Sequence, residues 1–165
     1  MNIEEYSHSR EASVESVEAS PTGAPDNLLA LIHVLSLQIG RAFHAQIAGE
    51  FEITIAEWRV LLSLSQRTGA TANEIANIWA MEKMAVSRAV RRLERMQRIT
   101  RSVKQEDRRS YALAITEDGK RLFERVVPAA NARYREITSA ATRDELAVLF
   151  RVLIKLVGQA RNLAN

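Results

Sequence analysis

The chain has 165 residues, of which 47% are hydrophobic and 26% charged, a composition typical of one globular domain. It contains no cysteine, which excludes disulfide bonds, thiolate metal sites and thiol-based redox chemistry. A secretory signal needs a basic stretch followed by an apolar core, and a membrane span needs an apolar run of about 18 residues. The sequence shows neither pattern, so we expect a cytoplasmic protein with no membrane partner.

The charges are strongly segregated along the chain. Residues 1–26 carry six acidic side chains against Arg10, and they lack helical or strand periodicity, so we predict a disordered acidic arm. Residues 83–109 instead hold ten basic side chains against three acidic ones, a net charge of +7. This concentration favours a polyanionic partner, because each neutralised phosphate releases condensed counterions. The alternative is a solvated basic face without a partner.

Long helices are predicted at both ends of the remaining chain. Residues 28–48 form a helix that is apolar on nearly every side, and such a helix must be covered all round by its own core or by a second subunit. Helices are also predicted over 117–140, kinked at Pro128, and over 144–163, where the apolar residues lie on one stripe. Long apolar terminal helices in so small a protein suggest dimerisation.

Two shorter helices share one start signal. Thr54 and Thr71 are each followed three residues later by Glu, which is the capping box, a pattern in which both side chains satisfy backbone donors. The pattern predicts helices over 54–66 and 71–79, separated by a turn at 68–70.

A third helix, over 83–96, is predicted to have one apolar and one basic face. Its inward stripe comprises Val86, Ala89, Val90 and Leu93, and its opposite side carries Met84, Arg88, Arg91 and Arg95. Residues 99–104 and 111–115 then alternate as strands do, which predicts a hairpin with a polar connection. Thr116 is expected to cap the next helix.

Helix, turn, helix and basic hairpin in this order make a winged helix-turn-helix, whose second helix enters a major groove of DNA and whose hairpin reaches the neighbouring backbone or minor groove. At this point the chain resembles the MarR family (multiple antibiotic resistance regulators) over about residues 28–163. The resemblance rests on Asn73-Glu74-Ile75-Ala76, on the run Val86 to Glu94, and on the wing, where Asp107-Arg108-Arg109 is followed by Leu113, Ile115, Thr116 and Gly119.

The expected fold class is therefore mainly α with a small β-hairpin, a winged helix-turn-helix with long N- and C-terminal dimerisation helices. Outside the arm, residues 27–165 are expected to form one domain. Within it, residues 28–48 and 117–163 supply the dimer helices and residues 54–116 the DNA-binding lobe.

Ten residues are candidates for DNA contacts. The start of the third helix is expected to approach base edges, and its later arginines are expected to meet phosphates, which position the protein without reading sequence. Arg109 at the hairpin tip suits a narrow minor groove, with Asp107 holding its guanidinium, and the resemblance implies the same roles. A solvated turn with a surface ion pair is the alternative. The candidates are Lys83, Met84, Ser87, Arg88, Arg91, Arg92, Arg95, Asp107, Arg108 and Arg109.

The resemblance also implies a pocket between the dimer helices and the DNA-binding lobe, suited to a small aromatic or phenolic effector. Candidates for its lining are Arg41, His44, Trp58 and Arg59, although tryptophans are more often core residues. The three histidines of the chain are too few for a metal site, and no HExxH motif or carboxylate cluster accompanies them. We therefore expect no metal and no other cofactor.

The sequence departs from the family pattern in three places. Ala80 and Gln97 stand where the family often has Gly, so we expect looser turns or residues that avoid positive φ. Glu82-Lys83-Met84-Ala85 replaces a Ser/Thr-rich helix start, which removes the usual N-cap and changes the chemistry that faces the bases.

The function that the resemblance implies is a sequence-specific double-stranded DNA-binding transcription regulator, a ligand-responsive repressor that binds a pseudo-palindromic operator as a homodimer. The alternative is a non-specific architectural DNA-binding module, or a protein-interaction module, with the same fold. No constellation of nucleophile, base and metal ligands indicates an enzyme.

Overall fold

The computed structural model describes residues 28–103 and 110–163. The predicted acidic arm and the wing tip with Asp107, Arg108 and Arg109 lie outside these ranges. The chain divides into two compact units, Met1–Gln46 and Ile47–Asn165.

The described part of the first unit is helical. Helix α1 spans Leu28–Phe43 and continues into a π-helical turn, His44–Ala48, which is followed by one α-helical turn, Gly49–Phe51. The predicted first helix is therefore confirmed, although the change to π-helical geometry was not foreseen. Large apolar side chains of α1 are exposed to solvent in the single chain, namely Leu28, Leu29, Leu31, Val34, Leu35, Leu37 and Ile39.

By length and composition alone, Leu28–Phe51 is apolar enough to cross a membrane, even though the sequence holds no long uninterrupted apolar run. The same composition occurs in helices that are covered by protein, and it does not indicate a membrane protein here.

The next two helices begin as their sequence pattern predicts. Helix α2 spans Ile55–Gln66 and helix α3 spans Ala72–Trp79, and each has a complete capping box at its start. Glu57 accepts from the backbone nitrogen of Thr54 at 2.8 Å and donates its own N–H to the Thr54 hydroxyl at 3.2 Å. In α3 the corresponding distances, between Thr71 and Glu74, are 2.6 and 3.2 Å. The threonines have extended backbones, so each helix begins one residue after its cap.

Helix α4 spans Lys83–Arg95 and forms the centre of the second unit. Its inward stripe, Val86, Ala89, Val90 and Leu93, is buried as predicted. The core that covers it includes Val60, Leu61, Leu64 and Ile75 from α2 and α3. Glu82 at the N-cap makes no side-chain capping bond, so the expected loss of the usual cap is confirmed.

The hairpin follows directly after α4. Strands β1, Ile99–Val103, and β2, Tyr111–Ile115, pair antiparallel with Ile99 opposite Ile115. On its other edge β2 bonds to the turn between α2 and α3, where the backbone nitrogen of Gly69 donates to the Leu113 carbonyl at 2.9 Å and that of Leu113 donates to the Ala70 carbonyl at 3.0 Å. The base of the wing is thereby tied to the helix-turn-helix.

Two turns adopt left-handed geometry without glycine. Ala80, which ends α3, has φ of 49°, and Gln97, which precedes β1, has φ of 56°. The expectation that these residues avoid positive φ is wrong. The turns keep the shape for which glycine is best suited, so each carries the steric cost of a Cβ in the left-handed region.

Helix α5 spans Glu117–Thr138, and Pro128 lies inside it without ending it. Thr116 caps the helix by accepting from the Gly119 nitrogen at 3.0 Å, and its hydroxyl donates to the Gln97 carbonyl at 2.7 Å. A Cβ at Gly119 would overlap the carbonyl oxygen of Arg98. The T-x-x-G pattern thus joins the start of α5 to the turn before β1, and only glycine permits that close approach.

Helix α6 spans Arg143–Leu163, and over this length it has no buried residue. The start of α6 is fixed by Thr142, whose hydroxyl accepts from the backbone nitrogen of Glu145 while the Glu145 carboxylate accepts from that of Thr142. Its exposed large apolar side chains are Val148, Leu149, Phe150, Val152, Ile154, Leu156, Val157 and Leu163.

Candidate nucleic-acid interface

The face of α4 opposite to its buried stripe carries most of the predicted DNA-contacting residues. Lys83, Met84, Arg88, Arg91 and Arg95 are exposed there, and Ser87 is half-buried. The burial of the apolar stripe fixes this orientation, since residues three and four apart on a helix share one face. The fold therefore gathers these cations on one side of the second unit.

Two open clefts border this face and share Arg91. The first lies between the start of α2 and α4 and is lined by residues that include Thr54, Ala56, Ala85, Arg88, Arg91 and Arg95. The second lies between the start of α3, α4 and the hairpin and is lined by residues that include Asn73, Ser87, Arg91, Arg101, Ser110 and Tyr111. Because Arg91 lines both, the two clefts adjoin each other along α4.

Arg101 is a member of this surface that the sequence interpretation did not single out. Its guanidinium on β1 pairs with the Glu94 carboxylate on α4 at 2.8 Å and lies over the Tyr111 ring at 5.0 Å from the centroid. The ion pair with Glu94 ties β1 to α4, and the contact with Tyr111 joins the two strands of the hairpin. The alternating sequence pattern predicted the strand, but it did not indicate that Arg101 would pair with a residue of the preceding helix.

Arg92 differs from the other arginines of α4. Its Nη1 lies 2.6 Å from Oε2 of Glu57, and its Nη2 donates to the Glu52 carbonyl at 3.0 Å. The guanidinium is thus engaged within the chain. A phosphate contact through Arg92 stays a prediction, and it competes with these two intramolecular bonds.

The candidate effector residues fall in different units. Arg41 and His44 belong to the first unit, and both are exposed. In the second unit, Trp58 stacks on Phe123 with centroids 5.2 Å apart and an interplanar angle of 16°. Trp58 is therefore engaged in ring packing, while its participation in a pocket stays a prediction.

Arg59 lies beside a second tryptophan. Its guanidinium sits over the Trp79 ring, 5.3 Å from the centroid, and partial burial lowers the pKa of the Arg59 side chain. The Trp79 indole nitrogen donates to the Ser63 hydroxyl at 2.9 Å, and this hydroxyl donates to the Arg59 carbonyl at 2.8 Å. Trp79 is thus held in place beneath a partly desolvated cation.

Comparison with known proteins relates this geometry to one family. Residues 53–111 match the model of the MarR family. The HTH-type transcriptional regulator FarR of Neisseria gonorrhoeae is 24% identical over 110 residues, which are 67% of this chain and 75% of that protein.

Solved structures share the fold over a longer part of the chain. Wild-type MarR from E. coli in its apo form is 25% identical with a TM-score of 0.66, covering 78% of this chain and 96% of that one. A MarR variant from E. coli complexed with operator DNA is also 25% identical, with a TM-score of 0.69 over 78% of this chain and 92% of that one. Of these proteins, FarR is described as an HTH-type transcriptional regulator, and the MarR variant is bound to operator DNA in its structure.

Proposed function

We propose that the chain, whose residues 53–111 match the MarR family model, is a sequence-specific double-stranded DNA-binding transcription regulator of winged helix-turn-helix form that acts as a repressor. The observation that carries the proposal is the exposed face of α4, which presents Lys83, Arg88, Arg91 and Arg95 beside the hairpin while the opposite face fills the core. An α-helix fits the major groove, and arginine can bond guanine there with two hydrogen bonds.

The roles of individual residues follow from their place on α4. Lys83, Met84, Ser87 and Arg88 occupy the N-terminal half, which approaches base edges in this class of fold. Arg91 and Arg95 lie further along the same side and are suited to phosphates. We assign the minor-groove contact to the wing residues Asp107 and Arg109 and a phosphate contact to Arg108, as their sequence pattern predicts.

We propose that the protein binds as a homodimer. The exposed apolar side chains of α6 form a surface that a monomeric soluble protein rarely leaves open, and α1 exposes a second set. A second copy of the chain would cover each of them. Two α4 helices would then enter successive major grooves about 34 Å apart on a pseudo-palindrome. The same covering accounts for the apolar composition of α1 in a cytoplasmic protein.

We also propose that a small aromatic carboxylate or phenol regulates DNA binding. Arg59 supports this proposal, because a cation that is partly desolvated against Trp79 is stabilised by a carboxylate. Trp58, Arg41 and His44 are the further candidates for contact with the effector. Arg59→Gln should leave operator affinity without ligand unchanged while the aromatic carboxylate loses its effect on binding.

The test of DNA specificity is a genomic footprint of the purified protein, followed by competition between the recovered site and a random duplex. A specific regulator should prefer its own site by at least ~10³-fold. Equal affinity for both duplexes would instead establish a non-specific architectural module. Repeating the footprint with a panel of aromatic carboxylates and phenols tests the effector proposal in the same assay.

A further inference from the structure

Glu57 is a buried carboxylate with two donors on one oxygen. The residue is 2% exposed, and its Oε2 accepts both from the Thr54 backbone nitrogen at 2.8 Å and from Nη1 of Arg92 at 2.6 Å. One carboxylate therefore caps α2 and holds the last turns of α4. The two residues of this pair are 35 positions apart in sequence.

Arg92 extends the same connection to a third segment. Its Nη2 donates at 3.0 Å to the carbonyl of Glu52, a residue with φ of 53° in the turn that leads into α2. The planar guanidinium thus joins α4 to the start of α2 and to the turn before it. Arginine is suited to this task because its donors project in a fixed, flat fork.

The bonds of Arg92 to Glu57 and Glu52 restrict rotation and sliding of α4, which apolar packing alone does not prevent. The stripe that includes Val86 and Leu93 keeps α4 on the core, but apolar contacts are not directional. The charge-assisted bonds to Glu57 and Glu52 are directional, so they fix the rotation and the axial position of the helix. Arg88 and Arg95 lie four residues before and three residues after Arg92, so any rotation of α4 carries both with it. Recognition groups must be held to about 0.5 Å and 10–20°.

We propose that Arg92 and Glu57 are positioning residues of the recognition helix, and that Arg92 serves DNA binding through Glu57 and the Glu52 carbonyl rather than through a phosphate. This inference rests on the proposed function, since it concerns how the DNA-binding face is held. It assigns to one arginine of the basic stretch a task different from that of its neighbours.

The variant Glu57→Gln distinguishes a positioning role of Arg92 from a phosphate-contacting role, because the two roles predict different changes in operator affinity. It removes a negative charge beside Arg92, so a phosphate-contacting Arg92 would be released and affinity for the operator would rise or stay the same. A positioning Arg92 exchanges its charge-assisted bond for a weaker bond to a neutral amide, so affinity should fall roughly tenfold. Gln at this position still completes a capping box, so α2 keeps its start.

The salt dependence of binding gives a second readout. The slope of log affinity against log salt concentration changes by about 0.9 for each phosphate that the protein no longer neutralises. Arg92→Lys keeps the charge and loses the fork, and Arg92→Gln loses both; each should lower affinity while the slope stays as in the wild type. Arg95→Gln is the matched control, and it should lower affinity and slope together. A slope that falls with Arg92→Gln as it does with Arg95→Gln would overturn the proposal.

The double variant Glu57→Gln/Arg92→Gln completes the test. If Glu57 and Arg92 act as a pair, the double variant should bind the operator no more weakly than the single variant with the lower affinity. Additive losses of affinity would contradict the pairing. Circular dichroism and thermal melting establish that each variant is folded at the temperature used, and Arg92→Lys replaces any variant that is not. Failure of the proposed function is distinguishable, because the wild type itself would then show no preference for its site.

Discussion

The helix-turn-helix lobe and the C-terminal helix α6 differ in the burial of their apolar side chains. In the lobe, Leu61, Ile75, Val86 and Leu93 are buried within one chain. Over Arg143–Leu163 no residue is buried, although the helix carries Phe150, Ile154 and other large apolar groups. The lobe thus buries its apolar residues within a single chain, whereas α6 leaves its apolar side chains exposed, and these are the groups that the proposed dimer would cover. Substitutions should therefore alter folding in one region and association in the other.

The largest effect is expected at Gly119, where the start of α5 packs against the lobe. Gly119→Ala places a Cβ against the backbone carbonyl of Arg98, which cannot move without disturbing the turn before β1. We expect a loss of about 3 kcal/mol or more in the free energy of unfolding, measured by denaturant titration. Gly49→Ala is the control, because a Cβ there meets nothing within 4 Å. Equal stability of the two variants would show that the close approach at Gly119 is not required.

Charged residues on α6 should act on association instead. Phe150 and Ile154 are 66% and 58% exposed and lie one helical turn apart, so Phe150→Glu with Ile154→Glu should convert the proposed dimer to a monomer in analytical ultracentrifugation. The helix content per chain should change little. Val103→Glu, at an exposed apolar residue of β1, should leave the dimer intact. A double variant that remains dimeric would remove α6 from the interface.

A smaller effect of opposite sign is expected at Ala80. Ala80 has φ of 49°, so Ala80→Gly relieves a left-handed Cβ and should stabilise the protein by about 1 kcal/mol. Ala85→Gly, inside α4, should instead destabilise it by about 1 kcal/mol. Thermal melting of both variants provides the comparison, and a loss of stability with Ala80→Gly would show that the turn carries no strain.

The smallest effect concerns pH and the exposed start of α6. Hydrogen bonds from Thr142 hold the pKa of Glu145 below its usual value, so the stabilisation is present above the pKa of the unfolded chain and is lost as the pH falls through the lower, folded pKa. The difference in melting temperature between the wild type and Glu145→Gln should therefore shrink from about pH 6 to about pH 3. A difference that grows on acidification would contradict the assignment.

The features that the sequence predicted well are those set by neighbouring residues. The Thr54 and Glu57 pair lies within one helical turn, and the buried residues of α4 recur at helical spacing over two turns, so spacing alone identified the capping box and the inward face. The T-x-x-G pattern likewise marked a real junction, where Thr116 and Gly119 meet the turn before β1.

The features that the sequence did not reveal depend on distant partners. Nothing near Arg92 indicates that its guanidinium meets Glu57, and its spacing alone placed it with the phosphate contacts. Ala80 and Gln97 lack the glycine that signals positive φ, yet the path of the chain into α4 and β1 imposes that conformation. The wing tip at Asp107 to Arg109 lies outside the described residues, so its role stays a prediction.

The central claim is that the exposed face of α4 binds duplex phosphates and bases. The most direct test is the salt dependence of operator affinity for Arg91→Gln, with Arg135→Gln on α5 as the control at an exposed arginine outside the lobe. We predict that Arg91→Gln lowers the affinity and reduces the slope by about 0.9, as expected when one phosphate is no longer neutralised, whereas Arg135→Gln changes neither. Equal slopes for Arg91→Gln and the wild type would contradict the account.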